Sequence, residues 1–172
     1  MAFEWRTHQK LQGKFHSDYP DDLQVIVHDG GPRFTDRQPE LIWVRVIGCL
    51  ASVFKGLVLN QPQQLLSISK GTEICFVVPD GGGHPLSVSD KYLAERGNWI
   101  VDPCAKCGLS ELFDAPSDLI GIVFPSLPPD ASMEAFTTFC GLCRGVQTVK
   151  HKDAVASESL VHRATRWWEF WK

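Results

Sequence analysis

The first half of the chain is marked by short segments rich in β-branched and aromatic residues. They span residues 23–28, 41–47, 52–59 and 72–78, and each is followed by a stretch containing Gly, Pro or Asn. Such residues are enriched in strands because branched and flat side chains pack well on a pleated surface. Since the connections are short, we expect neighbouring strands to form a strongly bent antiparallel sheet or a small barrel.

The middle of the chain mixes helix and strand signals. Residues 89–96 predict a short helix, with Ser89 or Asp90 as N-cap and Gly97 as the stop. Residues 99–101 predict one more strand. Further on, Pro-Pro-Asp at 128–130 opens a predicted helix over residues 131–139. The polar residues 148–157 predict a linker, and the polar, mixed residues 1–22 predict a loose arm.

The last segment, residues 158–172, predicts an amphipathic helix because its apolar residues recur at helical spacing. These residues are Leu160, Val161, Ala164, Trp167, Trp168 and Trp171. The helix can fold back on its own domain. It can also dock on another protein through Trp167, Trp168 and Trp171, since tryptophan is enriched where interfaces concentrate binding energy. A helix lying on a membrane is the weakest alternative, because the segment has few basic residues.

Composition and charge limit the class of protein. The chain has 172 residues, 44% of them hydrophobic, which suffices for one domain and a small additional module. The net charge of −3 argues against a dedicated nucleic-acid binder, which usually carries a basic face. The polar start lacks an apolar signal sequence, and no stretch reaches the length of a membrane span. We therefore expect a cytoplasmic protein with reduced thiols.

Two Cys-x-x-Cys pairs carry the strongest chemical signal. Four thiolates can enclose one Zn²⁺ tetrahedrally, so we predict a structural zinc site. A redox dithiol needs no second matching pair, and a catalytic zinc keeps an open position that four thiolates would fill. Gly108 and Gly145 follow the pairs and suit tight turns with positive φ. The four predicted ligands are Cys104, Cys107, Cys140 and Cys143.

The stretch between the two pairs, residues 108–139, is longer than a minimal zinc ribbon requires. We expect it to carry its own helix and to pack on the sheet, with Zn²⁺ joining its two ends. The other two cysteines, Cys49 and Cys75, lie in or beside strands, so we expect them to be small buried hydrophobic residues.

Aromatic residues in the strands predict core positions, above all Phe54 and Phe76. Strand alternation places Trp43 on the same face as Arg45. If that face is exposed, Trp43 is a contact residue, and the sequence leaves both alternatives open.

Three ionisable residues invite an acid–base interpretation. His28, Asp80 and His84 lie at a strand end or in the Gly-rich loop around residues 81–83, and such loops often carry function. No Gly-x-Ser-x-Gly, His-Glu-x-x-His or phosphate-loop motif accompanies them. An ordinary surface loop is therefore the favoured interpretation, and a hydrolase-type enzyme using the Asp80–His84 loop is the alternative.

Four short motifs lie within residues 42–78. They read Ile-Trp-Val-Arg-Val at 42–46, Phe-Lys-Gly at 54–56, Leu-Asn-Gln-Pro at 59–62 and Gly-Thr-Glu-Ile-Cys-Phe at 71–76. This region, about a fifth of the chain, resembles the YegJ-like family of bacterial domains of unknown function. The paired cysteines are not part of that pattern, so the resemblance implies an added zinc module. Related small domains occur beside bacterial toxins and secretion effectors, which implies an immunity or accessory protein.

The expected fold is α+β, with a small curved antiparallel sheet or partial barrel, a four-cysteine zinc-ribbon-like module and a C-terminal amphipathic helix. The expected divisions are a polar arm (1–22), a β-rich domain (23–101), the zinc module packed on it (102–147), a linker (148–157) and the helix (158–172).

Three functional hypotheses follow. The first is a non-enzymatic bacterial binding protein, an immunity or accessory factor that occludes a partner such as a toxin or effector, with acidic residues steering a basic target. The second is a zinc-ribbon nucleic-acid-binding module. Its phosphate contacts would be Lys106, Arg144, Lys150 and Lys152. The third is the enzyme of the Asp80–His84 loop.

Overall fold

The computed structural model describes residues 4–157. It contains two 3-10 turns, Glu4–Thr7 and Gln9–Leu11. The first five strands are β1 (Asp22–Val27), β2 (Glu40–Leu50), β3 (Val53–Val58), β4 (Glu73–Val77) and β5 (Leu86–Val88). Helix α1 (Asp90–Arg96), strand β6 (Trp99–Val101), helix α2 (Pro116–Val123), strand β7 (Ala135–Phe139) and strand β8 (Val146–His151) follow. Residues 152–157 are again helical.

Strands β1 to β5 form a closed barrel in the order of the sequence. Each strand is antiparallel to the next, and β5 closes the barrel by running parallel to β1, with Ile26 opposite Leu86. Closure leaves no unpaired strand edge. The predicted α+β class with a small barrel is confirmed. Strand β5 was not predicted, because a strand of three residues is too short for a periodic pattern to be recognised.

The barrel interior explains why the Phe-Lys-Gly motif has its glycine. The rings of Phe54 and Phe76 stack inside the barrel with centroids 5.4 Å apart. A Cβ at residue 56 would lie 2.3 Å from Cγ1 of Val44 on the neighbouring strand, which is closer than any real contact. Gly56 is therefore required by the packing of β2 against β3.

Side chains from the strands hold the long loop between β3 and β4. The Asn60 side chain accepts a hydrogen bond from the Trp43 N–H at 2.8 Å. The Glu40 carboxylate accepts from the backbone N–H groups of residues 63 and 64, and the Asp29 carboxylate accepts from those of residues 66 and 67. Gly56 and Asn60, two residues of the motifs that carry the resemblance, are thus explained by strand packing and loop geometry.

The segment before β1 packs on the barrel, so the prediction of a loose arm is wrong for residues 4–22. Leu11 is fully buried in the barrel core. Asp21 accepts a hydrogen bond from the Trp5 indole at 3.0 Å and forms an ion pair with Arg6 at 2.6 Å. One buried leucine at the end of a short 3-10 turn has no periodicity that a sequence pattern can detect.

A second, antiparallel sheet has the order β6-β8-β7. It contradicts two predictions, because β7 replaces the helix expected over residues 131–139, and β8 occupies much of the expected linker at 148–157. Phe136 and Thr138 of β7 and Gln147 and Val149 of β8 alternate inward. Four of the six residues of β8 are polar, and its identity as a strand comes from pairing on both sides.

The two helices sit between the barrel and the second sheet. Ser89 caps α1 by accepting from the Tyr92 N–H, and Gly97 ends it, as predicted. Helix α2 lies between the two cysteine pairs and starts with Pro116, which confirms the expected helix in that stretch. Its Leu119 is buried in a core shared by the barrel and the sheet. The other buried members of this core are Val77, Val88, Tyr92, Leu112, Phe136 and Val149.

The predicted C-terminal helix, with Trp167, Trp168 and Trp171, lies outside the described residues. Among residues 4–157, no helix combines the length and the apolar character that crossing a bilayer requires.

Candidate metal centre and adjoining clefts

The four predicted ligands come together in one cluster. All four Sγ atoms lie within 4.8 Å of one another, with 3.5 Å between Cys104 and Cys143 and 3.5 Å between Cys107 and Cys140. A tetrahedral ion with Zn–S bonds of about 2.3 Å would separate its sulfurs by about 3.8 Å. The six cysteines of the chain are all free thiols. The cluster is therefore able to hold a metal ion.

The two cysteine turns are built alike. In each, the first cysteine donates its N–H to the carbonyl five residues later, and its own carbonyl accepts from the N–H four residues later. The four bonds are Cys104 to Leu109 (2.9 Å), Gly108 to Cys104 (2.8 Å), Cys140 to Gly145 (2.7 Å) and Arg144 to Cys140 (2.9 Å). This repeated turn directs the side chains of two different chain segments at one point.

The glycines of the two turns have different roles. Gly108 has a φ of +77°, as predicted, but in the second turn the positive φ of +59° belongs to Arg144, so that expectation is wrong for Gly145. A Cβ at residue 145 would lie 2.8 Å from Cys104 Sγ, so space requires this glycine. Its N–H donates to Cys143 Sγ at 3.4 Å.

The thiols differ in their electrostatic surroundings. Burial raises the pKa of the Cys104 thiol. Hydrogen bonds from the N–H groups of Cys107 and Lys106 lower this pKa by more, so that it falls to about 7. Burial raises the pKa of Cys107, and it raises that of Cys140 well above the ordinary thiol value. A bound cation reverses such burial effects, because thiolates are the species that ligate metal.

The metal centre is attached directly to the barrel. Leu86 of β5 is fully buried in one cluster with Cys104 and Cys140. Phe113 belongs to the same cluster and covers the second turn so closely that a Cβ on Gly141 would fall 2.3 Å from its ring. The four-cysteine module and the barrel therefore share a core.

A cleft of about 750 Å³ runs between the barrel and helix α2, and we call it the acidic cleft. Five carboxylates and one lysine are its charged lining residues. The carboxylates are Asp29, Glu73, Asp90, Asp114 and Asp118, and the lysine is Lys55. Lys55 pairs with Glu73 at 2.7 Å, and Asp118 pairs with Lys91. Asp90 forms no hydrogen bond or ion pair through its carboxylate with any residue in the described range.

His28 and Asp114 lie at the inner wall of this cleft. The His28 ring stacks on Phe113 at 4.0 Å, donates from Nε2 to the Ser87 carbonyl and accepts the Gly30 N–H at Nδ1. Burial lowers the pKa of His28 to about 4, so the ring is neutral. Burial also raises the pKa of Asp114 to about 6. With both ring nitrogens engaged by the backbone, His28 fastens the β1–β2 turn to the module.

The structure does not unite the three residues of the acid–base interpretation. His28 lines the acidic cleft, whereas the carboxylate of Asp80 is exposed and pairs with Lys10 at 2.8 Å. His84 lines a second, smaller pocket with a volume of about 290 Å³. Asp80 is not among the residues that line it.

We call this second pocket the arm pocket. Its lining residues are Gly13, Lys14, Phe15, His16, Gln24, Trp43, Gly83, His84 and Pro85. Trp43 is half-buried on the outer face of the barrel, and its ring centroid lies 5.2 Å from that of His16. Of the two alternatives that strand alternation left open, Trp43 is therefore a contact residue and not a core residue. Sequence reasoning missed the pocket because residues 13–16 were assigned to a loose arm.

The other aromatic and cysteine residues named from the sequence within residues 4–157 lie in strands of the barrel. Phe54 and Phe76 are buried, as predicted. Cys49 and Cys75 are only half-buried, so the prediction of buried hydrophobic positions is too strong. Burial raises the pKa of both thiols.

Comparison of the chain with family models, with curated proteins and with solved structures finds no match.

Proposed function

We propose that this chain is a non-enzymatic bacterial binding protein, stiffened by a structural Zn²⁺ ion, whose acidic cleft receives a basic segment of a partner protein. The observation that carries the proposal is the acidic cleft, where five carboxylates and one lysine line about 750 Å³ at the joint between barrel and module. A cleft in which one sign of charge predominates raises the association rate of an oppositely charged partner.

Zn²⁺ is the metal that the donor set favours. Four thiolates in a compact cluster suit a tetrahedral structural zinc site, in which no ligand position is left for substrate. Four sulfurs fill the coordination sphere and close it, with Cys104 and Cys140 buried against Leu86, Cys143 half-buried and Cys107 exposed. A closed site of this kind supports a scaffold role.

The partner class follows from charge and from the resemblance to the YegJ-like family. That resemblance supports an immunity or accessory factor, and the acidic cleft supports a toxin or effector with a basic surface. Occlusion is the mechanism, because a preorganised surface that covers the partner's functional face needs no chemistry of its own. Asp90 is the carboxylate best placed to meet a partner cation, since it has no ion-pair partner within the described part of the chain.

The metal assignment is tested by elemental analysis of the purified protein and its variants. We expect one zinc per chain in the wild type, and loss of metal together with a sharp loss of stability in Cys104→Ser and Cys143→Ser. Cys49→Ser is the matched control, because Cys49 lies away from the cluster and should keep the metal. Equal zinc content in wild type and Cys104→Ser would contradict the assignment.

The cleft is tested with a hexalysine peptide at low ionic strength and with affinity capture from the native host. Asp90→Asn combined with Asp118→Asn should weaken both interactions. Asp36→Asn combined with Asp130→Asn makes the same change in net charge at residues that do not line the cleft. If the two double variants behave identically, the cleft is not the binding surface.

One observation favours the nucleic-acid alternative. Lys106 and Arg144 are exposed beside the metal centre, and neither pairs with a carboxylate in residues 4–157. Lys150, by contrast, pairs with Asp102 at 2.8 Å. Binding to single- or double-stranded DNA or RNA that weakens with salt and is lost in Lys106→Gln with Arg144→Gln would support this alternative. No retention on nucleic acid at physiological salt would exclude it.

A further inference from the structure

The arm pocket is built on the outside of the barrel by four separate chain segments. Its floor is formed by β1 and β2, where Gln24 is paired with Trp43. One wall is the segment 13–16 of the arm, and the other is the segment 83–85 that leads into β5. A concavity assembled from such distant segments is a feature of the folded state and not of any local motif.

The polar groups of this pocket are all able to donate hydrogen bonds to an anion. Lys14, His16, His84 and the amide of Gln24 line it, and no carboxylate does so among the described residues. Lys14 donates to the Gly83 carbonyl at 2.5 Å, which leaves two of its three N–H groups for another acceptor. His16 accepts the Asp18 N–H at Nδ1, so its neutral ring carries the proton at Nε2 and donates there.

The absence of acidic groups from the pocket contrasts with a chain whose net charge is −3. Asp80 is the acidic residue of the loop between β4 and β5 that also carries His84. It pairs with Lys10 at 2.8 Å and does not line the pocket. The pocket is thus lined by hydrogen-bond donors although the protein as a whole is acidic, and this pattern favours an anionic ligand.

The rest of the lining is apolar and aromatic. Phe15, Trp43 and Pro85 form it, and the His16 ring meets Trp43 edge to face. A volume of about 290 Å³ lies at the lower end of the range of small-molecule sites, which fits a ligand with one ring. Flat aromatic walls suit a flat ligand body, because rings gain from stacked and edge contacts.

The two walls are fastened before any ligand arrives. The contact from Lys14 to Gly83 joins them, and the Lys10–Asp80 pair holds the same loop a few residues earlier. The Gly82 N–H donates to the Pro79 carbonyl at 3.1 Å and closes the loop on itself. A preformed pocket of this kind loses little entropy on binding.

We propose that the arm pocket binds a small carboxylate that carries an aromatic ring. The carboxylate meets Lys14, His16 and His84, and the ring lies against Trp43 and Phe15. Two sources supply this chemistry, a free aromatic acid and the C-terminal carboxylate of a peptide that ends in an aromatic residue. The site is separate from the acidic cleft and does not depend on the partner proposed for it.

The experiment is a titration of the metal-loaded full chain with benzoate, followed by NMR of the Trp43 indole and by calorimetry. Trp43→Phe identifies the indole signal. We expect a Kd of about 1 mM for benzoate, and binding of its neutral analogue benzamide at least about tenfold weaker. The peptide acetyl-Gly-Gly-Phe with a free carboxylate is the second arm. Tighter binding of the peptide than of benzoate assigns the pocket to chain ends, and weaker binding assigns it to free acids.

The variant that tests the donors is Lys14→Gln combined with His84→Gln, which should weaken benzoate at least about tenfold. Lys70→Gln is the control, because Lys70 is an exposed lysine outside the pocket. An unchanged thermal midpoint in each variant shows that the fold is intact, and if the double variant melts early, His84→Gln alone carries the comparison. Equal affinity for benzoate and benzamide, an unaffected double variant, or no binding by either acid at about 10 mM overturns the proposal.

Discussion

The backbone of Gly145 lies directly against the sulfur of Cys104, so that a Cβ on residue 145 would fall 2.8 Å from Sγ. The two residues belong to different cysteine turns. Their contact therefore sets how closely the turns approach each other, and through that the size of the space between the four sulfurs.

Gly145→Ala should weaken metal binding without removing a ligand. The added methyl group pushes Cys104 Sγ away from the other three sulfurs, and outer-sphere changes of this kind cost about 10–100-fold in metal affinity. A competition titration with a chromophoric chelator measures the change. Gly97→Ala is the control, because Gly97 has a φ of −61° and a Cβ added there would meet no atom within 4 Å. Unchanged metal affinity in Gly145→Ala would show that the turns tolerate separation.

Arg144→Gly should stabilise the protein. Arg144 holds a left-handed φ of +59°, which costs a residue with a side chain about 1 kcal/mol relative to glycine. The midpoint of urea unfolding should therefore rise. Arg144→Ala removes the same charge but keeps the backbone strain, so it separates the two effects. A rise of equal size in both variants would assign the gain to charge instead of φ.

Tyr92→Phe should be strongly destabilising for the loss of one oxygen atom. The Tyr92 hydroxyl donates to the Glu111 carboxylate and accepts the Leu112 N–H, and Arg96 completes the pairing of that buried carboxylate. Removing the hydroxyl leaves a buried N–H and a carboxylate oxygen unsatisfied, at a cost of about 1–3 kcal/mol. Chemical denaturation measures it. Tyr19→Phe removes the same group from a 58% exposed residue and should change little; comparable losses would contradict this account.

Asp114→Asn should make stability more sensitive to acid. The lowered pKa of His28, about 4, adds stability above its ordinary 6.5 that is lost as pH falls through 4. The raised pKa of Asp114, about 6, adds stability below its ordinary 3.8 that is lost as pH rises through 6. The two effects oppose each other across the same window, each on the order of 3 kcal/mol.

In the variant only the His28 effect remains, while the carbonyl of the introduced asparagine still accepts the Gly31 N–H that Asp114 accepts at 2.9 Å in the wild type. As the pH is lowered from about 7 to about 4, the unfolding midpoint should therefore fall more steeply in the variant than in the wild type. The comparison uses the difference between the proteins, because protonation of the metal-ligating thiols acts on both alike. Parallel curves would show that Asp114 does not titrate in this range.

The barrel strands and the four-cysteine cluster were predictable because each has a local signature. β-branched runs mark β1 to β4, and the spacing of Cys104, Cys107, Cys140 and Cys143 marks the ligands. Strands β7 and β8 were missed because Pro-Pro-Asp imitates a helix start, and because β8 is as polar as a linker. Both are strands because they pair with each other, and β8 pairs with β6 as well. Such pairing depends on tertiary context.

The two cavities were beyond sequence reasoning for a different reason. The acidic cleft unites Asp29 of the barrel turn with Asp118 of α2, and the arm pocket unites Lys14 with His84. Residues so far apart in the chain are brought together only by the closed barrel and the docked arm. No sequence motif indicates that these residues lie side by side in the fold.

The packing of Leu86 against Cys104 and Cys140 sets the order in which the protein can mature. Strand β5 closes the barrel, yet its outer cover is complete only after residue 143 has been synthesised. Until then a nascent chain exposes the apolar side of this strand, and assembly of the four-cysteine cluster is the step that covers it. A molecule whose cluster stays open would present that strand to chaperones and proteases.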